Sequence, residues 1–422
     1  MGRALSVCIV GAGSSYTPEL IEGLLARPPE EIPVARVSLH DVDSERLGAM
    51  AGFGARAIAH AGRDIELRSG TELAAMLAGA DFVISQIRVG GMAARRLDES
   101  IPLRYGIIGQ ETTGPGGMAK ALRTIPHMIE VGRTVARVCP EAFILNYTNP
   151  SGIIAEAVSR HTEARIIGLC SGMPGIQRRL KERFGDRYPD LKAYAVGLNH
   201  FGFIHRMESQ GRDVTAEIIR LLEEEEGAHQ QGHHRLYSLL GAVPISYVNY
   251  FFHHGEQLAK MRAKGETRAD EVARIEREIL AEAALPETVT KPKALARRGG
   301  GGYAAITFAV MRAIAQDTGE ELVCNVPNRG AVEGIEDDAV VEVMCRVDRA
   351  GAHPLPVGLI PLAFRGLAQA LKAYETLTVE AAVRRSRRLA TLALMNHPLV
   401  GDLNIIEPLL DELLSAHGLR YE

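Results

Sequence analysis

The N-terminal part of the chain alternates short apolar runs with longer amphipathic stretches. The amphipathic stretches, such as 17–27 and 118–138, carry apolar residues at helical spacing. The apolar runs have the length and composition of buried strands and lie at 5–10, 35–43, 81–87, 142–148 and 165–170. This alternation of strand and helix predicts an α/β fold with a doubly wound parallel sheet.

The stretch 17–27 predicts the first helix of this sheet. Thr17 is a suitable N-cap residue, and Pro18 suits the first helical position. Leu20, Ile21 and Leu24 then place apolar side chains on one stripe of the helix. We therefore expect a tight connection between the first strand and a helix that packs on the sheet.

The pattern changes after Cys170. Residues 193–207 predict a strand, a turn and a second strand, and the acidic run 223–226 is interpreted as the solvent-exposed face of a helix. Further helices are predicted near 257–284, 357–375, 378–396 and 403–417. We therefore predict two domains, one over 1–170 and a mixed α+β domain over 171–422.

Composition narrows the class of protein. The 422 residues are enough for a large core, and 46% of them are hydrophobic, which is ordinary for a globular enzyme. A net charge of -4 gives no reason to expect nucleic acid or an anionic membrane as a partner. The start of the chain has no signal-peptide pattern, and the five cysteines form no CxxC pair. We expect reduced thiols and a cytoplasmic protein.

The segment 11–16, here called the glycine loop, follows the first strand directly. Gly11 and Gly13 match a dinucleotide fingerprint, but Tyr16 stands where the third glycine is usual. Such a loop is expected to point free backbone N–H groups at a pyrophosphate, beside the N-terminus of a helix. The same region offers further candidate ligands, namely the hydroxyls of Ser14, Ser15 and Thr17.

Asp41 ends the second strand and suggests which dinucleotide is bound. A carboxylate there accepts hydrogen bonds from the ribose hydroxyls of NAD and repels the phosphate of NADP. It follows the glycines by about 30 residues rather than the usual about 20. A plain strand–helix turn with an incidental acid remains the alternative. We favour a Rossmann-type domain that binds NAD.

Several longer motifs make the chain resemble a known family. They are GAGSSYTPEL, QIRVGG (86–91), GQETTGPGG (109–117), NYTNPSG (146–152), IGLC (167–170) and GLNHFGF (197–203). In this order they resemble glycoside hydrolase family 4, and particularly its 6-phospho-β-glucosidase branch. The resemblance implies a lactate or malate dehydrogenase-like arrangement of the two domains. It also implies an enzyme that uses NAD and a divalent metal such as Mn²⁺.

The resemblance implies a redox-assisted elimination. NAD⁺ takes hydride from C3 of the sugar, and the ketone acidifies the proton on C2. A base removes that proton, the C1–O bond breaks, water adds, and NADH reduces C3 again. The substrate is expected to be a small sugar that carries a phosphate, and the enzyme is expected to be a homodimer or homotetramer.

The family's metal ligands match Cys170 and His200 of this chain. A thiolate and an imidazole are softer than manganese prefers, so substrate hydroxyls and water would complete its coordination. The family's base matches Tyr247, with Tyr250 as the second choice. From the residues alone, Cys170 is also compatible with a buried strand cysteine and His200 with a turn histidine. The two tyrosines, three apart, are also compatible with core aromatics on one helical face.

Other residues follow the family motifs to the sugar or to the cofactor. Arg95 is expected at the substrate phosphate, although a surface ion pair with Asp98 or Glu99 is the alternative. Asn149 is expected at the sugar hydroxyls, although Asn149-Pro150 also suits a turn before a helix. The remaining implied residues are Glu111, Asn199 and Arg298 for the substrate, and Arg88 and Asn146 for the cofactor.

Two motifs depart from the family pattern. Ser171 follows Cys170 where β-type members usually have asparagine and α-type members often have aspartate, so the anomeric preference stays open. The loop NVPNRG (325–330) also differs from the usual phospho-β-glucosidase sequence. Arg329 keeps a positive charge there, which favours an anionic sugar, either a phosphate or a uronide.

Two other functions remain as alternatives. A 2-hydroxyacid dehydrogenase has a similar fold, but its His-Gly-Asp and Asp-x-x-Arg contexts are not found here. A sugar- or NAD-sensing protein that has lost catalysis is the other alternative, because of the altered motifs after Cys170 and at 325–330.

Overall fold

The structure is a computed structural model that describes residues 4–226, 235–299 and 301–422. The strands are β1 (Leu5–Val10), β2 (Val34–His40), β3 (Glu66–Gly70), β4 (Phe82–Ser85), β5 (Phe143–Asn146), β6 (Arg165–Gly168), β7 (Lys192–Leu198), β8 (Phe201–Ser209), β9 (Arg212–Asp213), β10 (Val243–Pro244), β11 (Glu320–Pro327), β12 (Val332–Glu333), β13 (Val340–Asp348), β14 (Gly351–Pro354) and β15 (Gly358–Leu359).

The helices alternate with the first strands and dominate the C-terminal part. They are α1 (Thr17–Leu25), α2 (Ser44–His60), α3 (Leu73–Leu77), α4 (Gly91–Arg104), α5 (Gly114–Val138), α6 (Ser151–His161), α7 (Gly172–Phe184), α8 (Thr215–Glu226), α9 (Arg235–Leu240), α10 (Asn249–Phe252), α11 (His254–Ala263), α12 (Arg268–Ala284), α13 (Leu295–Arg298), α14 (Tyr303–Gln316), α15 (Leu362–Arg384), α16 (Arg387–Asn396) and α17 (Leu403–Ala416), with one 3-10 turn at Ser246–Val248.

A nine-stranded sheet forms the centre, in the order β14-β13-β11-β6-β5-β4-β1-β2-β3. The six strands from β3 to β6 are parallel, whereas β11, β13 and β14 run antiparallel to their neighbours. The predicted doubly wound sheet and the mixed α+β part are therefore confirmed. Three strands from beyond residue 170 extend the first sheet, and the domain boundary at that residue stays a prediction.

A smaller sheet, β10-β8-β7 with β9 paired to β8, stands apart from the main one. Its hairpin β7–β8 is the strand, turn and strand predicted over 193–207. The main sheet is covered on both faces: one hydrophobic cluster includes α1, α14 and the hairpin, and the other includes α5, α6 and α16. The sheet is therefore buried on both sides, as expected for parallel strands.

Three predicted helix boundaries are wrong. Thr17 is the first residue of α1 rather than its cap, and its hydroxyl donates to the Ala12 carbonyl at 2.7 Å. The stretch 257–284 is two helices, because Gly265 takes φ +70° and Thr267 begins α12 with a capping box. The break expected near 376 lies at Arg385, whose φ of 50° ends α15, and Ser386 then caps α16.

The acidic run predicted on a solvent face lies at the end of α8. Glu223 is half-buried and Glu224 is exposed, while the side chains of 225 and 226 lie outside the described residues. Over the described parts of the chain, no helix is long and apolar enough to cross a membrane.

A buried ion cluster joins α6 to α15 behind the sheet. The Lys372 ammonium lies 2.8 Å from Glu156 Oε2, and it also pairs with Glu375. Glu156 also accepts hydrogen bonds from Thr376 and from the Val340 N–H. Removing one partner of such a buried pair leaves an uncompensated charge.

We predict that Lys372→Met lowers the free energy of unfolding by about 3 kcal/mol, because Glu156 and Glu375 lose their shared cation. Urea unfolding followed by circular dichroism measures the change. The control is Lys264→Met, which removes an exposed ion pair with Glu271 and is expected to cost less than about 1 kcal/mol. Equal costs for the two variants would contradict the importance of the buried cluster.

Candidate active site

The carboxyl ends of the parallel strands open into one cleft of about 820 Å³, here called the edge cleft. Loops after β1, β2, β4 and β5 form its walls, which is where doubly wound folds place ligands. Predicted site residues that line it are Gly11, Gly13, Ser14, Asp41, Arg88 and Asn149. Residues from other elements also line it, among them Tyr16, Arg46, Lys120, Glu276 and Tyr303.

The two glycines of the glycine loop are required by close backbone approach. Gly11 takes φ +86°, and a Cβ there would meet the Gln86 carbonyl carbon at 2.9 Å. A Cβ on Gly13 would meet Asp41 Oδ2 at 2.9 Å. The loop therefore lies against the ends of β2 and β4 with no space for a side chain at either position.

Free backbone N–H groups were expected in this loop, but three of them donate to the end of β2 and to the acid that follows it. Those of Gly11 and Ala12 donate to the His40 carbonyl, both at 2.9 Å, and that of Gly13 donates to Asp41 Oδ2 at 2.7 Å. Asp41 thus holds the loop directly in addition to lining the cleft. The expectation overlooked that the end of β2 lies beside the turn and supplies acceptors to it.

Of the three predicted hydroxyls, Ser14 lies on the cleft wall. The Ser15 hydroxyl donates to Glu276 Oε1 at 3.2 Å. The Thr17 hydroxyl donates to Ala12 and accepts from Gln86 at 2.9 Å. Ser15 and Thr17 are fully buried, so their hydroxyls are engaged with protein and only Ser14 faces the cleft.

The two asparagines after β5 have different surroundings. The Asn146 amide is fully buried, where it accepts from Ser85 at 2.7 Å and donates to Ser151 at 3.2 Å. It therefore shapes the turn rather than lining the cleft. Asn149 lines the cleft and donates to the Tyr147 carbonyl at 3.3 Å. Its bond to Pro150 is cis and α6 begins at Ser151, so the turn interpretation also holds.

The structure brings Cys170 and the turn containing His200 together. Cys170 lies two residues beyond β6, and His200 occupies the tight β7–β8 turn with φ 64°. Asn199 connects them: its side-chain oxygen accepts from Ser151 N at 3.1 Å, and its amide favours the thiolate form of Cys170. Cys170 and the turn that carries His200 therefore lie side by side beyond the carboxyl end of β6.

This pair fits a metal site by its chemistry. Burial and Lys120 lower the pKa of His200 to about 4, so the imidazole is neutral, and its buried Nδ1 has no hydrogen-bond partner among the described residues. Burial and Glu342 raise the pKa of Cys170 to about 12, so only a nearby cation would make it a thiolate at neutral pH. Within 4–226, 235–299 and 301–422, no three His, Cys, Asp or Glu residues form a metal cluster. Further ligands would have to come from substrate or water.

Tyr247 lies directly on His200. The two rings are parallel to within 2°, with centroids 4.1 Å apart. Tyr250 instead packs edge-on against Tyr247 at 5.9 Å, which favours Tyr247 as the candidate base. Burial, Tyr250 and Cys170 raise the pKa of the Tyr247 hydroxyl, so it would need a neighbouring cation to act as a base.

Three cations surround the carboxylate of Glu111. Arg95 lies 3.1 Å and Lys120 2.7 Å from its oxygens, and Arg88 also pairs with it. Burial favours the neutral acid, but Arg88, Lys120 and Arg95 outweigh it and hold the pKa of Glu111 well below its usual value. We call Arg88, Arg95, Glu111 and Lys120 the charge cluster.

Arg95 is not in a surface ion pair. It is 6% exposed and pairs with Glu99 at 2.7 Å as well as with Glu111, whereas Asp98 pairs with Arg123 at 2.7 Å. The alternative prediction, an ion pair of Arg95 with Glu99 on the surface, was right about the partner but wrong about its exposure. The pair is buried because α12 covers this face of α4, where the Ala269 N–H donates to Glu99 at 2.8 Å.

Arg298 and Arg329, the two other arginines considered for an anionic substrate, lie in different parts of the structure. Arg298 is buried, 3.3 Å from Glu276 Oε1, with its guanidinium 5.1 Å above the ring of Tyr16. Arg329 is exposed and follows β11, which runs antiparallel to β6 with Asn325 opposite Gly168. Arg329 therefore lies toward the amino edge of the sheet, and the inference of an anion site from its charge is wrong.

Sequence reasoning missed Lys120, Glu276 and Glu342. Lys120 stands in an otherwise apolar stretch of α5, which was an available signal. Glu342 is fully buried, accepts from Asn325 at 3.2 Å and raises the pKa of Cys170. Burial raises the pKa of Glu342 itself to about 8. Glu342 offered a comparable signal, since it is the one charged residue in the apolar run 339–345. Nothing local to Glu276 distinguishes it from other acids in a helix.

The doubly wound sheet carries the glycine loop and Asp41 at the edge cleft. Together they define a dinucleotide-binding α/β protein. The charge cluster and the Cys170–His200 pair form a second, polar site beside the dinucleotide site. Comparison with known proteins makes this specific. The family model described as "Family 4 glycosyl hydrolase" matches residues 6–185, and the model of the C-terminal domain of that family matches residues 195–400. The chain belongs to glycosyl hydrolase family 4, and the predicted family is confirmed.

Its relatives are similar over their whole length. A probable 6-phospho-beta-glucosidase of Bacillus subtilis is 34% identical, over 99% of this chain and 97% of that protein. The Thermotoga maritima 6-phospho-beta-glucosidase, solved with manganese, NAD+ and glucose-6-phosphate, is 33% identical with a TM-score of 0.91 and 99% of each chain covered. A 6-phospho-alpha-glucosidase from gut microorganisms, solved with NAD and Mn2+, is 29% identical with a TM-score of 0.87 and the same coverage.

The predicted dehydrogenase-like arrangement is also confirmed. Lactate dehydrogenase from Cryptosporidium parvum superposes with a TM-score of 0.53 at 16% identity, covering 93% of this chain and 99% of that one. This likeness concerns the fold alone.

The charge cluster predicts a pH dependence of stability. Burial and Arg88 lower the pKa of Lys120 to about 7, whereas an unfolded lysine titrates near about 10.4. Between these values the unfolded chain binds a proton that the folded chain does not, so the free energy of unfolding rises with pH. We expect wild type to gain about 1–2 kcal/mol more than Lys120→Met between pH 7 and 9.

Urea unfolding at both pH values measures this difference. Lys260→Met, which removes an exposed lysine of α11, is the control and should follow wild type. The same pH response in wild type and Lys120→Met would contradict the lowered pKa.

Proposed function

We propose that this protein hydrolyses 6-phospho-glycosides, and specifically 6-phospho-β-glucosides, with NAD and Mn²⁺ as cofactors. The observation that carries the proposal is the stacking of Tyr247 on His200 beside Cys170, at the same sheet edge as the edge cleft. Family membership and the ligands of the solved relatives support it.

Each group of residues has a defined task in this proposal. When bound, the nicotinamide accepts and returns a hydride at C3, and the metal ion polarises the sugar oxygens. Asp41 and the glycine loop hold the dinucleotide, while Cys170 and His200 hold the metal beside the sugar. Tyr247 takes the proton from C2.

The charge cluster supports an anionic substrate. Arg88, Arg95 and Lys120 are three cations, while Glu111 and Glu99 are their two carboxylates. Because the pKa of Lys120 is lowered to about 7, the cluster carries only a partial excess of positive charge near neutral pH. A bound anion would favour the protonated form of Lys120 and neutralise this charge. A guanidinium fork suits a phosphate or a carboxylate, and the names of the relatives support phosphate over a uronide.

The β preference is the finer part of the proposal. The relatives named 6-phospho-beta-glucosidase are 34–35% identical to this chain, and a maltose-6'-phosphate glucosidase is 31% identical. Ser171 lies at the start of α7 beside the Cys170 thiol, where its hydroxyl would be near the leaving group. We also propose a cytoplasmic homodimer or homotetramer, and the five unpaired cysteines suit a reducing compartment.

Turnover in deuterated water tests the reaction. With a chromogenic 6-phospho-β-glucoside, we expect product only when NAD⁺ and Mn²⁺ are both present, and deuterium at C2 of the released sugar by mass spectrometry. Tyr247→Phe should lower kcat by about 10²-fold or more, as expected for loss of a general base. Tyr250→Phe is the matched comparison and should retain most activity.

The outcomes separate the alternatives. Oxidation of a hydroxyacid with net NADH formation would favour a dehydrogenase, and sugar binding without turnover would favour a sensor. Faster cleavage of the 6-phospho-α-glucoside or of a uronide would overturn the substrate. A larger decrease of kcat in Tyr250→Phe than in Tyr247→Phe would assign the role of base to Tyr250.

The position of Asp41 predicts cofactor choice. Asp41→Asn should weaken NAD⁺ binding about tenfold, because a charge-assisted hydrogen bond to a ribose hydroxyl is worth about 1.5 kcal/mol. It should also improve NADP⁺ binding, because the repelling charge is lost. Isothermal titration calorimetry with both dinucleotides measures the change.

Asp43→Asn is the control for this change. It is the same substitution two residues away, at the N-cap of α2, where asparagine caps as well as aspartate. If the ratio of the dissociation constants for NAD⁺ and NADP⁺ changed equally in both variants, a specific role for Asp41 would be contradicted.

A further inference from the structure

The residue that replaces the third glycine of the fingerprint contacts the second half of the chain. The Tyr16 hydroxyl donates to the Gly299 carbonyl, and its ring packs against Tyr303 with centroids 4.6 Å apart. The guanidinium of Arg298 lies 5.1 Å above the same ring. Tyr16 is thus a cation–π platform for a buried arginine.

Glu276 of α12 holds the same arginine from the other side. One of its oxygens, Oε1, accepts from Ser15 Oγ at 3.2 Å and from Arg298 Nη2 at 3.3 Å. Its other oxygen lies 3.6 Å from Arg46, whose Nε donates to the Gly13 carbonyl at 2.9 Å. Arg298 is therefore held, directly or through Glu276, by Gly13, Ser15 and Tyr16 of the glycine loop.

The held arginine keeps one hydrogen-bond donor unused by the described residues. Arg298 is 8% exposed, and within the described chain its Nε has no hydrogen-bond partner. Tyr16 and Glu276, which hold this arginine, both line the edge cleft, as do Arg88 and Lys120 of the charge cluster. Arg298 is thus held by two side chains of the cleft into which the charge cluster also reaches.

We propose that Arg298 binds the sugar phosphate together with the arginines of the charge cluster, and that Tyr16 and Glu276 are positioning residues that couple this binding to dinucleotide binding in the glycine loop. This inference rests on the proposed function. A dinucleotide that orders the glycine loop also orders the platform under Arg298, so the sugar phosphate meets an arginine already in place. By linkage, the sugar phosphate must strengthen dinucleotide binding by the same factor.

This coupling differs from a merely structural role for Tyr16. If the ring only fills space between α1 and α14, its loss would change stability and leave the two ligands as strongly coupled as before. If the ring positions Arg298, its loss would reduce the coupling while the dinucleotide alone still binds. The ratio of two dissociation constants separates these cases.

Calorimetry on the full chain with Mn²⁺ tests the proposal. The dissociation constant of glucose 6-phosphate is measured without NAD⁺ and with saturating NAD⁺. We expect wild type to bind the sugar phosphate about tenfold more tightly with NAD⁺, within the usual range of coupling between sites. In Tyr16→Leu the factor should fall below about threefold. Because Tyr16 belongs to the glycine loop, the affinity of this variant for NAD⁺ alone is measured first, and the factor is determined at an NAD⁺ concentration that saturates it.

Two further variants refine the result. Tyr16→Phe keeps the ring under Arg298 and should retain most of the coupling. Glu276→Gln keeps the side-chain shape but removes the charge, and it should reduce the coupling even if Tyr16→Leu does not fold. Tyr105→Phe is the control, since its hydroxyl donates to the Pro408 carbonyl at 3.2 Å in a contact between α4 and α17.

The outcomes distinguish this inference from the proposed function. Wild-type coupling in both Tyr16→Leu and Glu276→Gln overturns the inference, as does a wild type that hydrolyses the substrate but binds the two ligands independently. A wild type that binds neither glucose 6-phosphate nor NAD⁺ overturns the proposed function and the inference with it.

Discussion

The site depends on one geometric constraint, that parallel strands all end at the same edge of their sheet. The loops after β1, β2, β4, β5 and β6 meet there, although they are spread over 160 residues of sequence. Because side chains reach the cleft from rigid strand ends, small loop differences can set chemistry without changing the fold. The hairpin β7–β8 adds His200 to this edge, and α5 adds Lys120.

Burial strengthens the electrostatic interactions among the charged side chains of the site. In water the pairs of Glu111 would contribute little, but here one carboxylate lies among three cations in a largely enclosed place. The pKa of Glu111 is therefore held low, and that of Lys120 falls to about 7. The same burial keeps His200 neutral and Cys170 protonated. Both side chains are therefore uncharged without a metal ion, and the thiolate of Cys170 would form only when a metal cation binds.

Local pattern was sufficient for the fold and for residues within long motifs. The parallel strands followed from apolar runs. The predicted site residues Asp41, Cys170, His200 and Tyr247 lie at one edge of the sheet, and their roles stay predictions. Thr17 and Asn146 were expected at the cofactor, but both side chains bond within the protein. Gln86 donates to Thr17, and Ser85 donates to Asn146, from positions more than 60 residues away that no local pattern displays. Arg329 was misjudged because nothing in the sequence shows that β11 runs antiparallel to β6. Glu276 could not be found, since its partner Ser15 is 261 residues away.

The central claim is that Cys170 and His200 hold a metal ion next to the nicotinamide and the sugar. The most direct measurement is anomalous scattering at the manganese edge, from crystals of this protein grown with NAD⁺, Mn²⁺ and glucose 6-phosphate. The account predicts one strong peak within coordination distance of Cys170 Sγ and His200, with Tyr247 facing C2 of the sugar. A manganese peak elsewhere in the chain, with these two side chains unligated, would contradict it.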